Sequence, residues 1–151
     1  VRAGFAAVTS PGRCEVVHRD PTVILDAAHN PHGAKALAQT LKSEFNFDEI
    51  VAVVGVFGDK DALGILQELE PIVDHVIVTQ SSSSRAMSSS DLEKLATSVF
   101  GNDRVFEVKD LHTALDRAVG DARTVRHACC PSDTALVVEQ YGSRWRTPRK
   151  R

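Results

Sequence analysis

The run Ile50-Val51-Ala52-Val53-Val54-Gly55-Val56 is apolar at every position. A strand with one face in water alternates apolar and polar residues, so a continuous apolar run predicts a strand that is covered on both faces. Strands of this kind occur in parallel sheets that carry helices on both faces. Residues 50–56 therefore predict the central strand of an α/β fold.

On either side of this run, short β-branched segments alternate with helical patterns. Before it, we expect strands at 15–18 and 22–26 and then a helix from Pro31 to about Glu44, with Asn30 as its N-cap. After it, the pattern predicts helices at 61–70, 91–100 and 111–119 and strands at 75–79 and 104–108. Ser90-Asp91-Leu92-Glu93 is typical of a capping box and opens the second of these helices. The alternation predicts a doubly wound, mostly parallel, Rossmann-like sheet with helices on both faces.

The composition is that of one ordinary domain, with 151 residues of which 42% are apolar and 25% charged. No apolar run reaches about 18 residues and no charged-then-apolar leader opens the chain, so we expect neither a membrane span nor a secretion signal. The chain has three cysteines, Cys14, Cys129 and Cys130, and this odd number implies no disulfide framework. We therefore expect a reducing compartment, the cytoplasm. The net charge of −2 gives no case for a nucleic-acid partner.

Charge is distributed unevenly along the chain. Residues 1–120 contain 11 Lys and Arg against 17 Asp and Glu, whereas residues 121–151 contain 7 against 3. We therefore expect one α/β domain at 1–120 and an atypical basic tail at 121–151, with a candidate last strand at 134–139. A shifted reading frame after about Val119 is one hypothesis for the tail, and it predicts poor order there and a weakened sheet edge. Because the chain begins at Val1 rather than at a methionine, we expect it to be a piece of a longer protein.

The string Asp26-Ala27-Ala28-His29-Asn30-Pro31 links the end of a predicted strand to the start of a helix. Ligands of open α/β sheets bind beyond the carboxyl ends of the strands, so this loop is a candidate site. Asp26 can accept hydrogen bonds from paired hydroxyls such as those of a ribose, and the helix N-terminus favours an anion beside His29. The alternative is that Asn30-Pro31 only starts a helix and that His29 is a turn residue.

Two further loops leave predicted strand ends with charged side chains. In the loop after the central strand, Lys60 places a positive charge beside two glycines; alternatively, Asp59 or Asp61 caps the next helix and Lys60 is solvated. In the serine-rich loop after the following strand, Arg85 can clamp a carboxylate; the alternative is a flexible polar loop. His127-Ala128-Cys129-Cys130 lacks a C-x-x-C partner, so the sequence predicts no metal site in this chain.

Four strings occur together and in order: Pro11-Gly12-Arg13, Asp26-Ala27-Ala28-His29-Asn30-Pro31-His32-Gly33, Gly58-Asp59-Lys60-Asp61 and Arg85-Ala86. Over about residues 1–120 this arrangement resembles the C-terminal domain of the folylpolyglutamate synthases of the Mur ligase family, which are often bifunctional with dihydrofolate synthase. The resemblance implies an ATP-dependent ligase that converts a carboxylate of folate or dihydropteroate into an acyl phosphate and joins it to L-glutamate.

The resemblance also implies roles for particular residues. Arg13 would reach the ATP phosphates, Asp26 would hold the ribose hydroxyls, and His29, beside Asn30 at the nucleotide, would support activity. Lys60 and Arg85 would orient the carboxylates of glutamate. The P-loop and the Mg²⁺ ligands are expected in a central ATPase domain that this chain lacks, so the chain alone is expected to be inactive.

Two alternatives stay open at this point. One is a non-catalytic α/β module that binds a nucleotide or another anion. The other is the C-terminal domain of a different Mur-type amino-acid ligase, against which the Gly58-Asp59-Lys60-Asp61 string favours the folate branch.

Overall fold

The computed structural model describes residues 13–19, 21–126 and 134–139, with side chains described as far as residue 120. Its strands are β1 (Glu15–Arg19), β2 (Thr22–Asp26), β3 (Glu49–Val54), β4 (His75–Val78), β5 (Val105–Glu107) and β6 (Thr134–Glu139). Its helices are α1 (Pro31–Glu44), α2 (Ala62–Leu69), α3 (Ser89–Phe100) and α4 (Leu111–Arg126), with a 3₁₀ turn at Asn102–Arg104.

The strands form one six-stranded sheet in the order β1-β2-β6-β3-β4-β5. β1 runs antiparallel to β2, and all the other neighbours are parallel. The predicted doubly wound, mostly parallel α/β fold is therefore confirmed, with one antiparallel strand at an edge.

β3 is buried on both faces of this sheet, as its apolar run predicted. Ile50, Ala52 and Val54 point into a core formed with α1, α2 and α3, while Val51 and Val53 point into a second core formed with α4. Because successive side chains of a strand face opposite sides, both sets of positions must be apolar when helices cover both sides. The strand itself ends at Val54, although the two following residues are also buried.

The start and end of α1 agree with the sequence prediction. Asn30 has extended backbone angles, and its side-chain oxygen accepts a hydrogen bond from the N–H of Gly33 at 2.8 Å. Pro31 at the first helical position loses nothing by lacking an N–H. The buried residues of the helix follow a spacing of three and four, and they are Ala34, Leu37, Ala38 and Leu41.

The predicted start of α3 was wrong by two residues. The N-cap is Ser88 rather than Ser90, and Ser88 Oγ accepts from the N–H of Asp91 at 3.2 Å. Both serines precede an acidic residue by three positions, so local sequence does not separate them. The earlier start buries Ser89 and lets its hydroxyl donate to Glu107 at 2.5 Å, a contact with β5 that local sequence does not reveal.

The chain after residue 119 departs from the predicted helix end. α4 runs on to Arg126, so residue 120 lies inside a helix; Gly120 is exposed, and a Cβ added there would meet no atom of the described residues within 4 Å outside the backbone of its own helix. β6, the candidate strand at 134–139, pairs with both β2 and β3 in the interior of the sheet, while β1 and β5 form the edges. The rest of the basic tail, 127–133 and 140–151, lies outside the described residues. Within the described ranges, no helix is both long enough and apolar enough to cross a membrane.

Two glycine substitutions test how tightly the helix starts pack. A Cβ at Gly64 would lie 2.6 Å from Pro31 Cγ and 2.5 Å from Asp61 Oδ2, so Gly64→Ala should lower the free energy of unfolding by about 1–2 kcal/mol through overpacking. Gly120→Ala, in open space on α4, should raise it by about 0.5–1 kcal/mol. Urea titration of both variants checks this; a Gly64→Ala variant as stable as the wild type or more so would contradict the packing of α1 against α2.

Candidate functional site

The carboxyl ends of the parallel strands meet at one edge of the sheet. Glu139 at the end of β6 is in register with Asp26 at the end of β2 and with Val54 at the end of β3. The loops that follow β2, β3 and β4 therefore open at the same edge. With Asp26 at the end of β2 and Arg13 just before β1, they carry the site residues that the sequence predicted, in two groups.

The first group is organised by Asp26. Its Oδ2 accepts a hydrogen bond from the N–H of Cys14, and its Oδ1 accepts one from the N–H of Ala28, both at 2.7 Å. The contact with Cys14 holds the chain that enters β1 against the end of β2, and it thereby places the exposed Arg13 beside this loop. Each carboxylate oxygen can accept a second hydrogen bond, so Asp26 keeps capacity for a ligand hydroxyl.

His29 is exposed on the same loop. Its Nδ1 lies 3.2 Å from the carbonyl oxygen of Ala27. A carbonyl can only accept, so this contact requires the proton on Nδ1 and leaves Nε2 of the neutral ring as an acceptor. The ring therefore presents an acceptor nitrogen to solvent at the edge where the strands end.

The start of α1 is less open to an anion than the sequence indicated. The N–H of Gly33 is already donated to Asn30, and Pro31 has no N–H to offer. A helix start with these two residues keeps its positive end but presents fewer donors than an uncapped one. Asn30, an exposed residue, thus serves the local structure, as one of the alternatives proposed.

The second group joins the loop after β3 to the loop after β4. Nη2 of Arg85 lies 2.9 Å from both carboxylate oxygens of Asp59, and Nζ of Lys60 lies 3.1 Å from Asp59 Oδ2. The hydrogen bonds from Lys60 and then from Arg85 hold the pKa of Asp59 below its usual value. Lys60 and Arg85 are therefore together at one carboxylate.

Asp59 is the residue of this group whose part the sequence did not reveal. Asp59 and Asp61 were both candidates to cap α2, and Asp61 is the cap, because its Oδ1 accepts from the N–H of Gly64 at 2.9 Å. Asp59 is then left to bind cations. Its partner Arg85 is 26 residues away in sequence, so only the fold shows that they meet.

Backbone contacts fix the end of the serine-rich loop. Phe57 and Ala86 form an antiparallel bridge, and the N–H of Gly58 donates to the carbonyl of Arg85 at 2.8 Å. The guanidinium carbon of Arg85 lies 5.2 Å from the centre of the Phe57 ring. The loop at Arg85 is thus tied to its neighbour rather than free, which argues against the alternative of a flexible polar loop at that residue.

The two groups approach each other through the starts of their helices. The contact of Pro31, at the start of α1, with Gly64, in the first turn of α2, places the two helix starts side by side. Among residues 13–19 and 21–120, no group of three or more His, Cys, Asp or Glu side chains is arranged to hold a metal ion.

Residues 12–137 match the sequence profile of the Mur ligase, glutamate ligase domain. This chain belongs to the Mur ligase family. Among curated relatives, the dihydrofolate synthase/folylpolyglutamate synthase of Mycobacterium tuberculosis is 55% identical over 118 residues, which cover 78% of this chain and 24% of that protein. The corresponding Escherichia coli protein is 32% identical over 142 residues, covering 93% and 30%.

Solved structures of Mur ligases agree with this assignment. Mycobacterium tuberculosis folylpolyglutamate synthase complexed with ADP superimposes with a TM-score of 0.86 at 47% identity, over 91% of this chain and 31% of that one. A bifunctional folylpolyglutamate synthase/dihydrofolate synthase with Mn, AMPPNP and L-glutamate bound gives 0.72 at 30% identity, over 88% and 29%. The chain thus spans about a quarter to a third of these relatives.

The pKa of Cys14 tests the position of Asp26. Burial, and then the neighbouring Asp26 carboxylate, raise the pKa of the Cys14 thiol above its usual value. Asp26→Asn removes the second cause, so the pKa of Cys14 should fall. The pH dependence of alkylation, measured in a Cys129→Ser/Cys130→Ser background, reports it.

Asp103→Asn serves as the control, since Asp103 is exposed on the 3₁₀ turn before β5, at the amino end of that strand. It should leave the alkylation profile unchanged. An unchanged or higher pKa in Asp26→Asn would show that Asp26 does not lie where the hydrogen bond to Cys14 puts it.

Proposed function

We propose that this chain is the C-terminal, nucleotide-facing domain of an ATP-dependent ligase that adds L-glutamate to folate or dihydropteroate through an acyl phosphate. The proposal rests on one arrangement in a Mur ligase domain. The hydrogen bond of Asp26 to Cys14 places Arg13 beside the loop that carries His29, and two adjacent cations, Lys60 and Arg85, lie at the same edge of the sheet. The assignment to the folate branch of the Mur ligases is supported by the relatives, which are named dihydrofolate synthase/folylpolyglutamate synthase.

The first group suits a nucleotide. Asp26 is fixed by two backbone N–H groups and retains lone pairs for the ribose hydroxyls. Arg13 supplies a guanidinium for the phosphates, and guanidinium groups bind phosphate oxygens in a fixed geometry. His29 presents Nε2 beside them, and Asn30 adds a side-chain amide on the same loop. A relative with ADP bound supports a nucleotide in this fold.

The second group suits glutamate. Lys60 and Arg85 carry two positive charges against the single negative charge of Asp59, so the group attracts a further carboxylate. The relative solved with L-glutamate bound supports this substrate for the family.

The chemistry requires both groups to face a third site. An oxygen of the folate carboxylate attacks the γ-phosphorus of ATP, forming a P–O bond and releasing ADP. The amine of glutamate then attacks the acyl carbon, forming the amide bond and releasing phosphate, while the amine gives up a proton. Positive side chains at the transferring phosphoryl group stabilise the first step, and orientation of the amine assists the second.

The remaining parts of this reaction are expected outside the chain. The sequence has no G-x-x-x-x-G-K-[ST] string for a P-loop. Mg²⁺, which neutralises phosphate charge when bound, is expected to have its ligands in an upstream ATPase domain. We therefore expect no ligase activity from this chain alone. We place the complete protein in the cytoplasm, on the odd cysteine count.

The first test is to read the coding sequence upstream of this chain and to assay the encoded protein, here called the complete ligase. An in-frame P-loop domain, with ATP hydrolysis that depends on both folate and glutamate, supports the proposal. A start codon at or just before Val1 with no P-loop would favour the non-catalytic binding module. Dependence on a different acceptor would favour another Mur-type ligase.

Substitutions at the nucleotide group should lower turnover of the complete ligase. His29→Ala and Asp26→Asn should each reduce kcat/KM for ATP about ten-fold or more, because the first removes a ring nitrogen beside the nucleotide and the second removes a charge-assisted contact to the ribose hydroxyls. Asparagine is chosen at Asp26 because it is nearly isosteric and keeps one of the two oxygens that accept from the N–H groups of Cys14 and Ala28. Steady-state kinetics measure the effect.

The matched control is His18→Ala, because His18 is an exposed histidine on β1 that pairs with Val23 near the opposite end of β2. It should leave the kinetics unchanged. Near-normal kinetics for both His29→Ala and Asp26→Asn would show that the nucleotide does not bind at this loop.

Substitutions at the cation pair should act on glutamate instead. Arg85→Ala and Lys60→Ala should each raise KM for glutamate about ten-fold, as expected for loss of an ionic contact to a carboxylate, with KM for ATP unchanged. Initial rates over a range of glutamate at saturating ATP provide the measurement. A rise in KM for ATP alone would place these cations at the nucleotide.

A further inference from the structure

We propose that Asp59 is a positioning residue: its carboxylate holds Lys60 and Arg85 side by side as one binding site for a carboxylate of the incoming amino acid. The inference rests on the proposed function and adds to it a residue that does not itself touch substrate.

The geometry at Arg85 leaves most of its guanidinium available. A single nitrogen, Nη2, contacts both oxygens of Asp59 at 2.9 Å. In the part of the chain that the structure describes, Nε and Nη1 make no hydrogen bond. Their N–H groups therefore remain able to donate to the carboxylate of a ligand. Asp59 thus binds the guanidinium through one nitrogen only, and the central carbon of the guanidinium lies 5.2 Å from the centre of the Phe57 ring.

Lys60 is held by the same atom. Its Nζ lies 3.1 Å from Oδ2 of Asp59, the oxygen that also accepts from Arg85. Two cations so close together repel each other unless an anion lies between them. Asp59 supplies that anion, and the group keeps one net positive charge for a ligand.

The exposure of these side chains indicates binding rather than stability as the role of the contacts. The side chains are 63% exposed at Arg85, 47% at Asp59 and 30% at Lys60. Ion pairs in water contribute little to the stability of a fold. Ordering two flexible cations in advance, in contrast, lowers the entropy lost when a ligand binds.

Asp59 could instead compete with the substrate for the two cations, and that role predicts the opposite change in KM for glutamate. If Asp59 competed with the substrate carboxylate for the cations, removing its charge would strengthen substrate binding. If it positions the cations, removing its charge releases Arg85 from the loop that carries Lys60 and weakens substrate binding. The sign of the change in KM for glutamate separates the two roles.

The experiment uses Asp59→Asn in the complete ligase, with Asp103→Asn as a control that removes one exposed negative charge elsewhere. We expect Asp59→Asn to raise KM for glutamate about three- to ten-fold, while kcat, KM for ATP and the thermal midpoint stay at wild-type values. Asp103→Asn should change none of them.

Every other result would overturn the proposal. A lower KM for glutamate would identify Asp59 as a competitor, and an unchanged KM would show that the cations need no anchor. A parallel rise in KM for ATP, or a lower thermal midpoint, would show a structural role. A wild-type enzyme whose activity does not depend on glutamate would instead overturn the proposed function, and this inference with it.

Discussion

Burial of β3 on both faces is the constraint on which the rest of the molecule depends. Its alternate side chains pack into two separate cores, so helices must lie on both sides of the sheet. Helices that cross from one strand to the next return the chain to the same end each time, which makes the strands parallel. Parallel strands bring the loops after β2, β3 and β4 to one edge, and all the predicted site residues are in those loops or, like Arg13, are tied to one of them.

The sequence was informative where structure is set locally. The start of α1 follows from Asn30 and Pro31, and the double burial of β3 follows from its own residues. Features set by distant partners were missed: Ser88 rather than Ser90 caps α3 because Ser89 reaches β5, and Asp59 meets Arg85 across 26 residues. The predicted roles of the site residues toward ATP and glutamate remain predictions, because they concern ligands rather than the chain.

The two groups of loop residues have one feature in common. In each, a carboxylate fixes its neighbours before a ligand binds: backbone N–H groups in the first group and two cations in the second. Asp26 accepts from two backbone N–H groups, and Asp59 binds two cations. Catalytic and binding groups act best when their orientation is already fixed, because little entropy is then lost on binding. The same side chains thus serve the fold and are proposed to serve the ligands.

The place of β6 has a consequence for how the molecule is made. β6 is the last of the described strands in sequence, yet it lies between β2 and β3. During synthesis, β1 and β2 on one side and β3, β4 and β5 on the other leave the ribosome with no strand between them, so the two halves of the sheet stay unjoined until residues 134–139 emerge. The loop that carries Asp26 and His29 belongs to one half, and Lys60 and Arg85 belong to the other. A nascent chain that stops short of β6 therefore has both halves of the candidate site but lacks the backbone pairing that joins β2 to β3.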